Sequence, residues 1–475
     1  MTDYQPARST DRAALMAAWR QGAQLIDVGA ERIVAAGPTT SAPASWVQEA
    51  AWRTWGSPDQ RSHAGASLVF AGLLNGRIDK RALASAVVAV ADRHEALRTY
   101  MTETGSELVQ DIAPTGAVEL STEAVTPAPG VDPVLYATER ANAIANEVCD
   151  PSALPLARVV LIEIDHDRHI LLVKAHHLVA DGWSLGVAFA ELAYAYDACR
   201  MHAPISLPEL PIQYRDFAIW QRTWMLGDEA SEHARYWTEQ QDDVPPVDLA
   251  ACDFVAHREV PTIVVPDFHL SSVLSEQARA LARRSNVSVF AVLLAAYATL
   301  LWEWSGVTDL SIGTLVANRR RPETRPLIGF FAGKIFVRLV FDESWTFTNL
   351  LRHARDETTK AMSHEEMNVD MLFLRQRVPF GTAPERPSVA ASINLQPPIP
   401  PLTIRGANVI PVALKGDEPS RSLSIGLWNE GQQIRAQVRW QRNAIAKETV
   451  QRAMGRLVQI LQTACEEPGT RLRDL

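Results

Sequence analysis

The chain has 475 residues, with 46 Lys and Arg against 55 Asp and Glu, a formal net charge of −9. At 47% hydrophobic and 21% charged it has the balance of a globular protein rather than a disordered one, and it is too long for one ordinary core, so two or more lobes are expected. The acidic balance, and the lack of a basic run interleaved with aromatics, argue against a nucleic-acid partner.

Ser9 to Ile26 reads as an amphipathic helix and the Ala/Pro/Thr-rich stretch Ala35–Ala44 as a linker, so residues 1–44 are expected to form an arm before the main fold. Met1-Thr2-Asp3-Tyr4-Gln5 lacks the basic and apolar regions of a signal peptide. Ser67–Leu74 is strand-like, and Asp79-Lys80-Arg81 opens a helix whose apolar face includes Leu83, Val87, Val90 and Ala91. Val159–Ile164 and His169–Lys174 are β-rich runs joined by Asp165-His166-Asp167-Arg168, a hairpin pattern. The run His176-His177-Leu178-Val179-Ala180-Asp181-Gly182 follows at once, and Ser184 then reads as the cap of a helix to about Arg200.

Met201–Pro211 is Pro-containing and reads as a connector to two aromatic-rich helices, Tyr214–Trp224 and Ser231–Gln240, before a break at Pro245-Pro246. The second half predicts helices near Glu276–Ser285, Val289–Trp304 and Phe347–Ser363, and strands at Leu310–Val316 and Ile335–Phe341. Strands near Ser388–Leu395, Ser422–Leu427 and Gln433–Trp440 and a closing helix Glu448–Cys465 complete it. The pattern is two α/β lobes with mixed sheets, residues 45–225 and 226–475. Apolar stretches such as Val289–Leu301 are too short to span a membrane, and no Gly-rich loop sits between a strand and a helix, which disfavours nucleotide binding. Cys149, Cys199, Cys252 and Cys465 lie far apart without a Cys-x-x-Cys pair. Reduced thiols, a cytoplasmic location, no membrane partner and a monomer are the expectation.

His177 is the candidate catalytic residue. A histidine at a strand end can project into a cleft, and its near-neutral pKa suits proton transfer. In acyl transfer it can accept a proton from an attacking amine or hydroxyl, or donate to the charge of a tetrahedral intermediate. Gly182, next to Asp181, permits a tight turn. A zinc site is the competing reading of adjacent histidines, but no Cys/His/Glu set at ligand spacing lies near them, so no metal is expected. A Ser-His-Asp hydrolase is the next alternative, weakened by the expectation that the chain has no Gly-x-Ser-x-Gly elbow and no other clear nucleophile.

The string His176–Gly182, extended by Trp183-Ser184, resembles the active-site motif of the condensation domains of nonribosomal peptide synthetases. Other motifs occur in that family's order: Ser45-Trp46-Val47-Gln48 with Trp52; Arg93-His94-Glu95-Ala96-Leu97-Arg98-Thr99; and Tyr214-Arg215-Asp216-Phe217-Ala218-Ile219-Trp220. Gly313-Thr314-Leu315-Val316-Ala317-Asn318-Arg319, then Ile328-Gly329-Phe330-Phe331, is similar to the next block. The resemblance implies two chloramphenicol-acetyltransferase-like α/β lobes in a V, with a tunnel between them where phosphopantetheine arms of carrier proteins meet at His177. It implies structural roles for His176, Asp181 and Gly182, with Arg319 as the partner of Asp181. Trp183, Ser184, Ser392, Asn394 and Gln396 are candidate tunnel-lining residues.

Gly333 and Lys334 stand where the family usually has Asn and Thr, Asn368 and Val369 replace a Pro-Phe after His364, and a late Arg-Asp motif is missing near Pro384–Gln396. Heterocyclisation domains, with aspartates for the histidines, and plant-type coenzyme A acyltransferases, with an Asp-Phe-Gly-Trp-Gly motif, do not match. Epimerisation domains keep the histidines, but their later motifs are not evident. The implied activity is that of a free-standing condensation enzyme with no bound cofactor, transferring an acyl group from an acyl or peptidyl carrier protein to an amine or alcohol. The acceptor is a second carrier or a free small molecule. A degenerate module that only recruits partners, or an acyltransferase using coenzyme A, are the alternatives.

Overall fold

The computed structural model describes residues 32–54, 66–105, 107–245, 247, 267–375, 391–396, 400–414, 423–440 and 445–475. The helix expected over Ser9–Ile26, Pro246 and Cys252 lie outside the described residues. In chain order the elements begin with β1 (Ser41–Pro43), α1 (Trp46–Thr54), β2 (Ser67–Gly76), α2 (Lys80–Arg93), β3 (Thr99–Thr104), β4 (Glu107–Ile112), β5 (Leu120–Ala124) and α3 (Pro133–Ala145). There follow β6 (Ala157–Glu163), β7 (Arg168–His176), α4 (Gly182–Arg200), α5 (Tyr214–Trp224), α6 (Asp228–Gln241), β8 (Asp267–His269), α7 (Ser272–Arg284), α8 (Val289–Ser305) and β9 (Asp309–Val316). The last are β10 (Gly333–Val340), α9 (Phe347–Ser363), α10 (Val369–Arg375), β11 (Ala391–Gln396), β12 (Ala407–Pro411), β13 (Leu423–Glu430), β14 (Gln433–Arg439) and α11 (Lys447–Glu466).

The chain forms two units: residues up to Gly227 with Arg319–Ala332 and Ile399–Glu418, and Asp228–Asn318 with Gly333–Pro398 and Pro419–Leu475. A single cut near residue 225 assigns Arg319–Ala332 to the second lobe; the structure places it in the first unit, held by the buried bonds described below. In the first unit a mixed five-stranded sheet has the order β12-β2-β7-β6-β5. The Asp165 carboxylate accepts from the N–H groups of Asp167 (3.0 Å) and Arg168 (2.8 Å), a side-chain-stabilised turn that sets the β6–β7 hairpin. β2 pairs with β7 along its length, from Ser67–His176 to Asn75–Arg168, which fixes where β7 stops. A smaller sheet, β1-β4-β3, takes up the end of the expected linker as an edge strand.

In the second unit the six-stranded order is β10-β9-β11-β13-β14-β8, parallel where β11 meets β9 and β13 and antiparallel elsewhere. Its core helix α8 is capped by Ser288, whose side chain accepts from the Ala291 N–H, and stops at Gly306 with φ +72°, a left-handed C-terminal stop. Every residue from Ala291 to Leu301 is buried. Among the described residues no single helix is long and apolar enough to cross a membrane.

Candidate active site around His177

β7 ends at His176, whose N–H donates to the Leu156 carbonyl (2.8 Å), and the His177 N–H donates to the Ala66 carbonyl (2.7 Å). The chain then turns, with the Val179 N–H on the His176 carbonyl at 3.0 Å. His176 is fully buried, and its Nδ1 accepts from the Leu178 N–H at 3.1 Å. That contact makes Nδ1 an acceptor and so puts the proton of the neutral ring on Nε2. His177 is only half-buried, its ring 6.1 Å from that of Phe330. The two histidines therefore divide the work: one is inside the frame, the other is presented by it.

Asp181, not Ser184, caps α4; Ser184 is the third helical residue and closes the capping box. The expectation of Ser184 as cap missed that the motif's own carboxylate fills this role. The carboxylate does more than cap. Its Oδ1 accepts from the Ser184 N–H (2.9 Å) and Arg319 Nη2 (3.0 Å), and its Oδ2 from the N–H groups of Phe331 (3.1 Å) and Ala332 (3.2 Å). Arg319, with no exposed surface, also donates to the carbonyls of Thr324 and Leu327, and its guanidinium lies 4.1 Å from the Phe331 ring centre. Burial pulls the Arg319 pKa down, and the Asp181 charge acts in the opposite direction. Starting so far above neutrality, the guanidinium keeps its proton.

Gly182-Trp183-Ser184-Leu185-Gly186 has the letters of a hydrolase nucleophile elbow, which corrects the expectation that the chain has none. The geometry does not make it one. Ser184 is 2% exposed, its hydroxyl between the Asp181 carboxylate (2.8 Å) and the Gly329 carbonyl (3.0 Å) and accepting from the Gly329 N–H (3.1 Å). Trp183 is 3% exposed and donates to the Arg325 carbonyl. Both residues hold the frame of the first unit.

The dispersed motifs converge on this frame. Gln48 Nε2 donates to the carbonyl of Leu178, the residue after His177, at 2.9 Å. Tyr214 donates to the Phe330 carbonyl (2.6 Å) and meets the Ser45 hydroxyl (2.8 Å); burial pushes its ionisation well above the ordinary phenol value. His94 Nδ1 accepts from the Ile328 N–H (3.3 Å), and its Nε2 faces Glu191 (2.9 Å). Gln48, Tyr214 and His94 were visible only as motif letters. Glu191 was missed, although an acid on the apolar side of α4, between buried Phe189 and Leu192, was its signal.

Ser392, Asn394 and Gln396 lie in the second unit, alternating along β11 and so sharing a face. β11 pairs with β9 only at Ser392–Gly313, and the Asn394 side chain takes the Leu315 N–H at 2.8 Å where the ladder ends. Ser392 bonds Ser424 at 2.9 Å. Two departures from the family pattern meet in this unit as well. A Cβ on Gly333 would lie 3.1 Å from Asn368 Cβ and 3.2 Å from its Nδ2, so the loss of a side chain at 333 makes room for the amide at 368. The Lys334 ammonium lies 5.8 Å from the Phe336 ring centre.

The fold and this frame define a mixed α/β protein carrying a complete His-His-x-x-x-Asp-Gly motif. The condensation domain family model matches residues 39–475, and the chain belongs to that family, which forms amide bonds in nonribosomal peptide synthesis. It is 28% identical over 417 residues to chondramide synthase cmdD of Chondromyces crocatus, covering 86% of this chain and 10% of that protein. It is 33% identical over 310 residues to phosphinothricin tripeptide synthetase PhsC of Streptomyces viridochromogenes, covering 64% of this chain and 28% of that protein. The chain thus spans a small part of these relatives. Among solved structures, the X-domain from teicoplanin biosynthesis aligns with a TM-score of 0.80 at 21% identity, over 94% of this chain and 99% of that one. The complex of that X-domain with OxyB gives 0.79, again at 21% identity, over 94% and 98%. These share the expected α/β fold with mixed sheets.

Proposed function

We propose that the chain is an acyltransferase that moves an acyl group from the phosphopantetheine thioester of a carrier protein to an amine or alcohol, giving an amide or ester in nonribosomal peptide or hybrid polyketide biosynthesis. In this reading the acceptor nitrogen or oxygen attacks the thioester carbonyl carbon and the carbon–sulfur bond breaks. His177 takes the proton that the acceptor loses and returns it to the departing sulfur. No nucleophile from the protein is required, which agrees with the enclosed Ser184. The observation that supports the reading most is the half-buried His177 standing on a frame in which His176, Asp181 and Arg319 are held by buried hydrogen bonds. A turnover assay with an acyl-loaded carrier and an amine or alcohol tests it. Amide or ester formation that falls about a hundredfold or more in His177→Ala is the expected result.

Recruitment of a partner without chemistry is the second reading. It is favoured by the solved neighbour whose X-domain was captured in complex with OxyB. Under that reading no donor and acceptor pair turns over, and His177→Ala leaves partner binding unchanged.

A further inference from the structure

A second cluster of chemistry-bearing side chains lies in the second unit, on residues that the acyl-transfer reading does not use. Glu229 and His233 are one turn apart on α6, and Glu366 lies in the turn after α9. One ligand-capable atom from each lies within 4.8 Å of the other two, with His233 and Glu366 buried and Glu229 exposed. The two segments are pinned together. The Trp237 indole N–H donates to the His364 carbonyl at 3.1 Å, and the Tyr236 ring stacks on His364 at 3.9 Å with planes 13° apart. His233 Nδ1 and His364 Nδ1 are 2.9 Å apart, so one ring donates to the other.

We infer that Glu229, His233 and Glu366 form a binding site for a divalent transition-metal ion of the zinc class, which clamps the start of α6 to the turn that follows α9. One imidazole nitrogen and two carboxylate oxygens are a donor set for zinc, and atoms this close reach the usual ~2.0–2.2 Å ligand distances with inward shifts of about half an ångström. A metal-bound imidazole characteristically has its other nitrogen oriented by an outer partner; in this site His364 would be that partner and His233 Nε2 the ligand atom. The expectation of no metal rested on the spacing of the cysteines and on the surroundings of His176 and His177. The pair Glu229 and His233, four residues apart on a helix, was the signal available elsewhere. Arg375 donates to the Ser231 hydroxyl, between Glu229 and His233 in sequence, at 2.7 Å.

Titration of the purified chain with Zn²⁺ against a chromophoric chelator, and with Co²⁺ as a spectroscopic stand-in, tests the inference. The expected result is one saturable equivalent with Kd of about 10 µM or tighter and a higher Tm with Zn²⁺ present. Glu229→Gln and His233→Ala should each weaken binding about tenfold or more, and His177→Ala should leave it unchanged. Glu229 is exposed, so its variant keeps the test sound if the buried histidine proves necessary for folding. No stoichiometric binding by the wild type would overturn the site and leave these carboxylates to the protein's own cations. Equal binding by both variants, or loss in His177→Ala, would overturn it by moving zinc elsewhere.

Discussion

Arg319 Nη2 donates to Asp181 Oδ1 at 3.0 Å across 138 residues of sequence, and neither side chain has more than 2% of its surface exposed. Removing one partner strands the other charge away from water. Asp181→Asn and Arg319→Ala should each cost about 3–5 kcal/mol. The double variant should cost less than the sum, because each single change counts the same broken pair. Arg319→Lys should not rescue, since one ammonium cannot serve Asp181 and the carbonyls of Thr324 and Leu327 in the same fork geometry. Urea unfolding of wild type and these variants checks this, and additive losses would mean the pair is not coupled in solution.

Gly329 is the point at which the Tyr214–Trp220 and Ile328–Phe331 motifs touch. A Cβ there would lie 2.1 Å from Tyr214 Cδ2 and 2.7 Å from Cε2. Gly329→Ala should therefore destabilise by about 1–3 kcal/mol or more. Tyr214→Phe should not relieve it, because the ring carbons remain, whereas Tyr214→Leu should recover part of the loss. Unfolding midpoints of the single and paired variants decide between a packing conflict and an unrelated effect of either residue.

How much of this was legible in the sequence depended on the kind of signal. α5 and α9 run from Tyr214 to Trp224 and from Phe347 to Ser363, the predicted ends, because both carry strong 3.6-residue patterns. α3 was not seen. Its start signal, Asp132 before Pro133, is present, but its buried face is Ala137, Ala141, Ile144 and Ala145, too weakly apolar to show a period. β3 and β4 escaped because Glu103, Glu107 and Asp111 sit among their alternating apolar residues. The Asp181–Arg319 contact came only from the family resemblance; nothing local in either segment points across the intervening chain. The clamp of Gln48 on the Leu178 carbonyl is likewise a tertiary fact, for which the motif supplied letters without geometry.

His169 should make stability depend on pH. His169 is 1% exposed, and among the described residues neither ring nitrogen has a hydrogen-bond partner. Burial lowers its pKa, Lys80 acts in the same direction, and Glu163, Asp165 and Asp167 oppose them. With the folded value below the unfolded one, the unfolded chain binds more protons in the window between them. Stability from this residue is then complete above the ordinary value of about 6.5 and is lost as pH falls from there towards the folded value. Urea midpoints at pH 7.5 and about 5.5 should differ more for wild type than for His169→Leu. Equal differences would assign the acid sensitivity to other groups.

His177→Ala separates a reacting histidine from a framing one. The ring is half-buried, and two of the bonds that hold this turn in place, the Gln48 amide on the Leu178 carbonyl and the His177 N–H on the Ala66 carbonyl, are not made by the His177 side chain. The variant should fold with a near wild-type unfolding midpoint while turnover drops about a hundredfold or more. His176→Ala should do the reverse in part, losing stability first, because its ring is enclosed and its Nδ1 serves the Leu178 N–H. Near wild-type rates in folded His177→Ala would remove both proton transfer and acceptor positioning from this residue.

The donor should be favoured on a carrier protein over the same acyl group on coenzyme A. Both present a pantetheine thioester, so chemistry at His177 cannot tell them apart; the difference must come from what else the protein offers each donor. Coenzyme A needs a site for its nucleotide phosphates, and among the described residues no Gly-rich loop leads from a strand into a helix to provide one. The run of three adjacent arginines is not a substitute. Arg319, Arg320 and Arg321 are 0%, 9% and 6% exposed, and the Arg321 guanidinium lies 4.1 Å over the Trp220 ring. A guanidinium already desolvated against an aromatic face would have to leave it to meet a polyanion. The net charge of −9 offers coenzyme A no long-range attraction either. A carrier domain adds protein–protein contact area that free coenzyme A lacks. With one acceptor held fixed, kcat/KM for the carrier-bound donor should exceed that for the coenzyme A thioester by about tenfold or more, a difference of at least about 1.4 kcal/mol. Equal efficiencies would place this chain among acyltransferases that take small-molecule thioesters.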